Sequence, residues 1–521
     1  MEKPEECQNC NAKSAKFHGI YATTVARSRR RRNDGFPAGV GVDSVRERVY
    51  TRSIMKPGSL SLPRTLGYGT GNTGLALVNI VVQTWLLYFL APPVGRTLIP
   101  ASIVGTVWLI GRLVDAAADP LVSAWSDRAG GAGGRRLPFL LATGLPLAAV
   151  CLLLFVDAVY LGPLPLRIAV LGLLLGLFYI LFTAYAVPFN SLIADLGRDG
   201  PDRVRLSTSA AAFNLLGTAG AAVAAGLLIQ AFGAAAPAAT APAAPAAAAA
   251  EATGFDPAAF PPAVAVLMAV AALTFLITPL ALWKFRRAGD APTSLSFASS
   301  MKSALENRAF RTYLFGINTF WGGFIMINVS IPYYVTVLMG QDEGFTSVAL
   351  GASLGTALLA FPLVNLLARR LGNKRSVMAS AGIMAISLLL IWFIPTDPRS
   401  GAVFGTAIMI LAGFGLAGLL VLPNAMIGDL AQFRRSDGSN PGEAIYYGLQ
   451  GLLQKAAIGV VTLASGLLFD IFGNTPADPL GIRLTGPIGA LFAVASVLIM
   501  RAYPDDRGGL DPAAFSPGEA D

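Results

Sequence analysis

The stretch "LIPASIVGTVWLIGRLVDAAADPLVSAW", residues 98–125, decides how this chain is to be read. Its length and apolar composition are those of a membrane-crossing helix, for which about 20 residues suffice. Yet it carries Arg112, Asp115 and Asp119 close together. A carboxylate near the bilayer centre costs roughly 2.5–3.5 kcal/mol on insertion scales, and the few that occur face a cavity or a partner. Offsets of three and four put these charges on one helix face. That face is net negative and invites one more cation. Two carboxylates with neutral oxygens suit Na+, because hard cations favour oxygen ligands. Alternatively one carboxyl takes a proton, since neighbouring buried carboxylates resist joint ionisation. The competing account is a structural set of ion pairs, Arg112 with Asp115 and Lys455 with Asp119.

The rest of the chain supports a membrane setting. Of 521 residues, 54% are hydrophobic and only 13% charged, against about a quarter charged in soluble proteins; the mean hydropathy is +0.60. Three cysteines, Cys7, Cys10 and Cys151, make no disulfide framework, and the lone "CQNC" has no second pair for zinc. His18 is the only histidine and lies outside any span. Histidine relays and Ser/His triads are therefore excluded, and proton chemistry inside the membrane falls to carboxylates.

The formal charge of +9 does not point to nucleic acid. Lys and Arg gather in alternate loops ("SDRAGGAGGRR", "GRDGPDRVR", "KFRRAGDAP", "ARRLGNKR", "QFRRSDG"), while "APPVGRT" and "MGQDEG" carry one or none. This positive-inside pattern predicts cytoplasmic termini and an even number of spans. Twelve are predicted, at roughly 66–91, 101–125, 138–158, 165–194, 206–232, 262–284, 312–338, 346–368, 376–396, 402–429, 444–471 and 484–501. The strict alternation of barrel strands is absent. The fold expected is thus all-α and polytopic, twelve transmembrane helices in two six-helix, pseudo-symmetric halves.

The organisation that follows is a disordered basic tail at 1–63, an N-terminal half at 64–284, a cytoplasmic linker at 285–311, a C-terminal half at 312–503 and a cytoplasmic tail at 504–521. The Ala/Pro run at 233–262 is low-complexity and expected to be an external loop. In the tail, Glu2, Glu5 and Glu6 argue against a transit peptide. A chain starting at Met55 is expected to insert normally, because no span precedes it. Two internal repeats support the division into halves. "DPLVSAWSDRAGGAGGRR" after span two matches "FPLVNLLARRLGNKR" after span eight, and "VPFNSLIADL" in span four matches "LPNAMIGDL" in span ten.

By this map only Arg112, Asp115, Asp119 and Lys455 lie deep inside spans. The spacing Gly111-x3-Asp115-x3-Asp119 equals the tail of the metal-binding signature of membrane CDP-alcohol phosphotransferases. Residues 66–110 contain no Asp or Glu for its upstream pair, so no enzyme is expected.

At "GRLVDAAADPLVSAWSDRAGGAGGRRLPFL", "FTAYAVPFNSLIADLGRDGPDRVRLS", "LPNAMIGDLAQFRR" and "GLQGLLQKAAIG" the chain resembles the glycoside–pentoside–hexuronide:cation symporters. These form a branch of the major facilitator superfamily that includes the bacterial melibiose carrier. The resemblance runs from residue 64 to 503 and implies the major facilitator fold and alternating access, with the site between repeated halves. It implies cation binding by Asp115, Asp119 and Thr183 and places Lys455 near the cavity; from the census of deep charges, Lys455 and Arg112 are the expected charge-coupling residues. The coupling ion would be Na+ or H+, with no cofactor and no other metal. The family's galactoside-binding acids are missing, with Ala near 76 and Ala186 at those positions; Ala210 and Ala118 replace a basic residue and an Asn. Asn72, Asn79, Gln83, Tyr185, Asn318, Trp321 and Asn328 are the candidate substrate-cavity residues, with inter-helix packing as their alternative role. The expected partners are a small carbohydrate and the lipid bilayer, and a monomer is expected. The alternatives are a lysolipid or other amphiphile symporter on the same fold, and a non-transporting sensor.

Overall fold

The computed structural model describes residues 61–128, 136–197, 200–235, 255–283, 301, 304–432 and 443–504. Cys7, Cys10, His18, Met55, the alanine and proline run at 236–254, most of the link between the halves and the C-terminal tail lie outside the described residues.

Twelve long helices follow one another among the described residues. The first six are α1 (Leu62–Leu90), α2 (Ala101–Arg128), α3 (Leu137–Leu153), α4 (Leu164–Leu196), α5 (Gly200–Ala235) and α6 (Phe260–Leu282). The second six are α7 (Arg308–Tyr333), α8 (Glu343–Leu371), α9 (Asn373–Leu390), α10 (Pro398–Gln432), α11 (Glu443–Phe472) and α12 (Leu480–Arg501). Eleven are long and apolar enough to cross a bilayer. The exception is α3, which with 17 residues rises about 26 Å, short of the roughly 30 Å hydrocarbon core. Its span was predicted to run to 158. Instead the helix stops at Leu153, and a short 3-10 turn, Asp157–Tyr160, follows. The Tyr160 hydroxyl donates back to the Leu154 carbonyl at 3.1 Å and holds that turn.

The helix pairings repeat with an offset of six. α1 packs on α5 and α6, as α7 does on α11 and α12. α2 packs on α4 as α8 does on α10, and α3 on α4 and α6 as α9 does on α10 and α12. The sequence repeats underlie this symmetry. Pro120 and Pro362 sit inside α2 and α8, and Pro188 and Pro423 inside α4 and α10. Each removes one backbone donor and frees a carbonyl one turn earlier. Within each half, the end of the first repeat bonds to the aspartate of the second. Arg136 Nη1 donates to Asp195 Oδ2 at 2.6 Å, and Asn373 Nδ2 donates to Asp429 Oδ2 at 3.0 Å.

The halves meet chiefly along α2·α11 and the symmetry-related α5·α8, with α1·α7 between them. Hydrogen bonds crossing between halves seal the end where α1 finishes and α2 begins. The Asp470 carboxylate of α11 accepts from the backbone amides of Ala101 (3.1 Å) and Ser102 (2.8 Å) and from the Ser102 hydroxyl. Those amides open α2, where the helix dipole favours a negative charge. Tyr333 donates to the carbonyls of Leu87 and Ala91, and Gln230 to Asp342. Glycine makes this close approach possible. A Cβ on Gly105 would lie 2.6 Å from Leu463 Cα, and one on Gly459 would lie 2.9 Å from Leu109 Cα.

Gly459→Val is therefore expected to wedge α2 from α11 and open the sealed end. Overpacking of this kind costs about 1–3 kcal/mol, which converts to a shift of about tenfold or more between open and sealed states. The check is labelling of a cysteine at Asn328 by a membrane-impermeant thiol reagent added from that side. Its rate should rise accordingly over the Asn328→Cys parent; an unchanged rate would show that the seam does not hold the seal.

Candidate functional site

The four deep charges converge at mid-membrane, where α2, α4 and α11 meet. Asp115 is fully buried, as are Arg112 and Thr183. Thr183 of α4 donates to Asp115 Oδ1 at 2.5 Å and lies 3.3 Å from Asp119 Oδ1. Lys455 of α11 extends its ammonium between the two carboxylates. Its Nζ is 2.8 and 2.9 Å from the oxygens of Asp119 and 3.1 Å from Asp115 Oδ1. Arg112 Nη1 stands 3.5 Å from Asp115 Oδ2, a looser contact. The guanidinium rests on the Tyr179 ring, Cζ 4.6 Å from its centroid, a cation–π contact. Gly111 leaves room for that ring, which a Cβ would meet at 2.9 Å.

The sequence face with two acids and one guanidinium left a negative charge unmatched, and the second half supplies the match. Two carboxylates, one guanidinium and one ammonium sum to zero. Burial is graded through the cluster. Asp115 is closed off, whereas the Asp119 side chain keeps 39% of its surface accessible and Lys455 19%.

Beside the cluster, between the halves, lies a cavity of about 310 Å3. Of the candidate lining residues, Asn79, Gln83, Trp321 and Asn328 line it. Asn79 and Gln83 share a hydrogen bond of 2.8 Å, one turn apart on α1. Asn328 accepts from Thr84 across the halves at 3.2 Å. The other three are not among its lining residues. Asn72, two turns before Asn79, donates to the Ala210 carbonyl of α5. Tyr185 is buried among aromatics, its ring 4.5 Å from Phe275. Asn318 is buried and donates to Leu314 of its own helix.

Arg112 also lines the cavity, so the charge cluster and the cavity share a wall. Asn214, Thr218, Ser353 and Gln454 line it as well, and none was singled out from the sequence. The signal for the first two was present, since they stand four apart in an apolar span, the same face argument that selected Asp115 and Asp119.

Two six-helix halves around a central cavity, with a charge cluster shared between them, define a multi-pass membrane transporter of the major facilitator type. The chain belongs to the MFS/sugar transport protein family, whose model matches residues 67–507. It is similar to an uncharacterised symporter of Synechocystis sp., at 24% identity over 85% of this chain and 94% of that one. It is also similar to the isoprimeverose transporter of Lactiplantibacillus pentosus, at 23% identity over 81% and 82%. These relatives fit the glycoside–pentoside–hexuronide:cation symporter branch. Among solved structures, the nucleoside transporter NupG aligns with a TM-score of 0.56 at 13% identity, covering 85% of this chain and 99% of that one. A bacterial homologue of the lysosomal transporter Spinster, in an inward-facing and unoccupied conformation, aligns with a TM-score of 0.58 at 12% identity, covering 87% and 96%. At such identities the structures speak for the fold.

Lys455→Ala leaves the buried Asp115 and the partly accessible Asp119 short of one counter-charge. Breaking a buried ion pair from one side costs roughly 3–5 kcal/mol, with the lower end expected here because Lys455 is partly accessible. The variant should melt at a lower temperature than wild type, and 100 mM Na+ in place of choline should recover part of the loss. Lys455→Ala combined with Asp119→Asn, which removes both charges, should be more stable than Lys455→Ala alone. Thermal unfolding of the purified variants checks both; a double variant no better than the single would contradict the charge balance.

Proposed function

We propose that this protein is a cation-coupled symporter of a sugar or glycoside, working by alternating access. The observation that carries the reading is the neutral cluster of Arg112, Asp115, Asp119 and Lys455 with Thr183, drawn from both halves and set beside a cavity with amides in its lining. The coupling ion, Na+ or H+, enters at Asp119 and Asp115, with the Thr183 oxygen as a neutral ligand or hydrogen-bond partner. A second positive charge there is incompatible with the ammonium at 2.8 Å, so cation binding releases Lys455 from the carboxylates. That release loosens α11 from α2, the helix pair that closes the sealed end.

Cation and cargo then act as two ligands on one equilibrium. Each moves it only through a difference in affinity between the two states, and each raises the other's affinity by the same factor. The Lys and Arg distribution supports cytoplasmic termini, which makes the sealed end external. The amides of Asn79, Gln83, Asn214, Asn328 and Gln454 suit sugar hydroxyls. Loss of the galactoside-binding acids favours another sugar.

Uptake into proteoliposomes under an imposed Na+ or proton gradient tests this, with isoprimeverose and methyl glycosides as first probes. Asp115→Asn and Asp119→Asn should each abolish accumulation above the outside concentration, with protein levels within about twofold of wild type. Thr183→Ala, which loses one hydrogen bond to a charged group, should raise the half-saturating cation concentration by about tenfold. Full concentrative uptake by the double Asn variant would sink the reading.

A further inference from the structure

The two walls of the cavity differ in chemistry. The first half supplies Asn79 and Gln83 from α1, Arg112 from α2, and Asn214 and Thr218 from α5, with Ile80, Phe182 and Ala222 as its apolar share. In the second half the polar groups are Asn328 of α7, Ser353 of α8 and Gln454 of α11, whereas α9 and α10 contribute only Met384, Ala412, Leu416 and Leu420, and α8 adds Leu350 and Leu354. Met384, Leu350, Leu354 and Leu416 are buried in the protein, so this wall is a continuation of the second half's core. A cargo that is hydroxylated all round leaves such a wall unmatched, because each polar group set against it loses water without gaining a partner. A cargo with one polar and one apolar end satisfies both sides at once.

From this asymmetry we propose that the cargo is an amphiphilic glycoside, whose sugar ring faces the amides of α1 and α5 and whose apolar aglycone lies against α8, α9 and α10. The inference rests on the sugar reading above and narrows it. The volume bounds the aglycone. A cavity of about 310 Å3 stands at the lower end of the roughly 300–1,000 Å3 of small-molecule pockets. It suits one sugar ring with an aryl or short alkyl group better than a sugar with a long acyl chain. Trp321 completes the arrangement at the border between the walls. Its indole Nε1 is buried and has no protein partner, so a donor stands ready for an oxygen of the cargo.

Calorimetric titration of the full-length protein in lipid nanodiscs tests this, with empty nanodiscs as the reference for partitioning into lipid. The probes are the methyl, phenyl and naphthyl β-glycosides of glucose, galactose and xylose. At about 25 cal/mol per Å2, burying about 60 Å2 of apolar surface corresponds to a gain of roughly tenfold. On the preferred sugar, the naphthyl glycoside should therefore bind at least about tenfold more tightly than the methyl glycoside. Leu354→Asn and Leu416→Asn, tested separately, should each reduce that naphthyl-to-methyl ratio severalfold. Because the wild-type series carries the comparison, a variant that fails to fold does not weaken it. Methyl and naphthyl glycosides binding within about twofold of each other would overturn the amphiphilic cargo and leave the sugar reading intact. If no glycoside binds, whether or not monomeric lysophosphatidylcholine does, this inference and the sugar reading fall together.

Discussion

The ammonium of Lys455, held between two carboxylates of α2, is the interaction on which the rest of the structure depends. Burying four charges is expensive, and a well-packed apolar cluster of similar volume would hold two helices together at least as well. What the ionic cluster adds is dependence on charge. It is neutral as it stands, and its positive member on α11 belongs to the opposite half from both acids. Any cation that enters at the acids competes with a side chain tethered to the other half. On the symporter reading proposed above, ion binding is thereby tied to the relation between the halves, through charge alone.

The same two helices carry both the proposed switch and the seal. On α11, Lys455, Gly459, Gly466 and Asp470 are spaced by four, seven and four, and so lie on one face. Along that face the ionic bridge gives way to a backbone contact at Gly459 with Leu109, and then to the capping of α2 by Asp470. Above Lys455 the seam is held by shape and by neutral hydrogen-bond donors. Closely packed helices do not deform continuously, and interfaces of this kind have discrete arrangements. Releasing the ammonium at one end of the face thus weakens a contact that runs to the other.

The fold was legible in the sequence because its signals are redundant. Apolar length marked the spans, and the paired Pro-Leu-Val and proline-aspartate segments gave the six-helix repeat. Boundaries failed where no charge or glycine marks them, as at α3, where the apolar run "CLLLFV" continues past the helix end at Leu153. The charge cluster was legible because ions inside a membrane are few, so each one stands out. The cavity was less so. A polar side chain in a span serves equally as lining or as packing, and only the helix it faces decides. Asn72 and Asn79 share a face of α1, yet one bonds to α5 and the other looks into the cavity two turns away. The apolar wall gave no signal at all, because a leucine that lines a cavity reads like a leucine that faces lipid.

The central claim is that the coupling cation and the Lys455 ammonium exclude one another at Asp115 and Asp119. Pulse reductive methylation of the purified protein, read at Lys455 by mass spectrometry and normalised to the other lysines of the chain, measures this directly. The pulse is repeated over a titration of Na+ at constant ionic strength, and over a titration of pH without Na+. The account predicts that Lys455 modification rises saturably with one of the two ions, over the concentrations at which that ion drives uptake. Modification of Lys455 that stays flat in both titrations, while uptake responds, would contradict it.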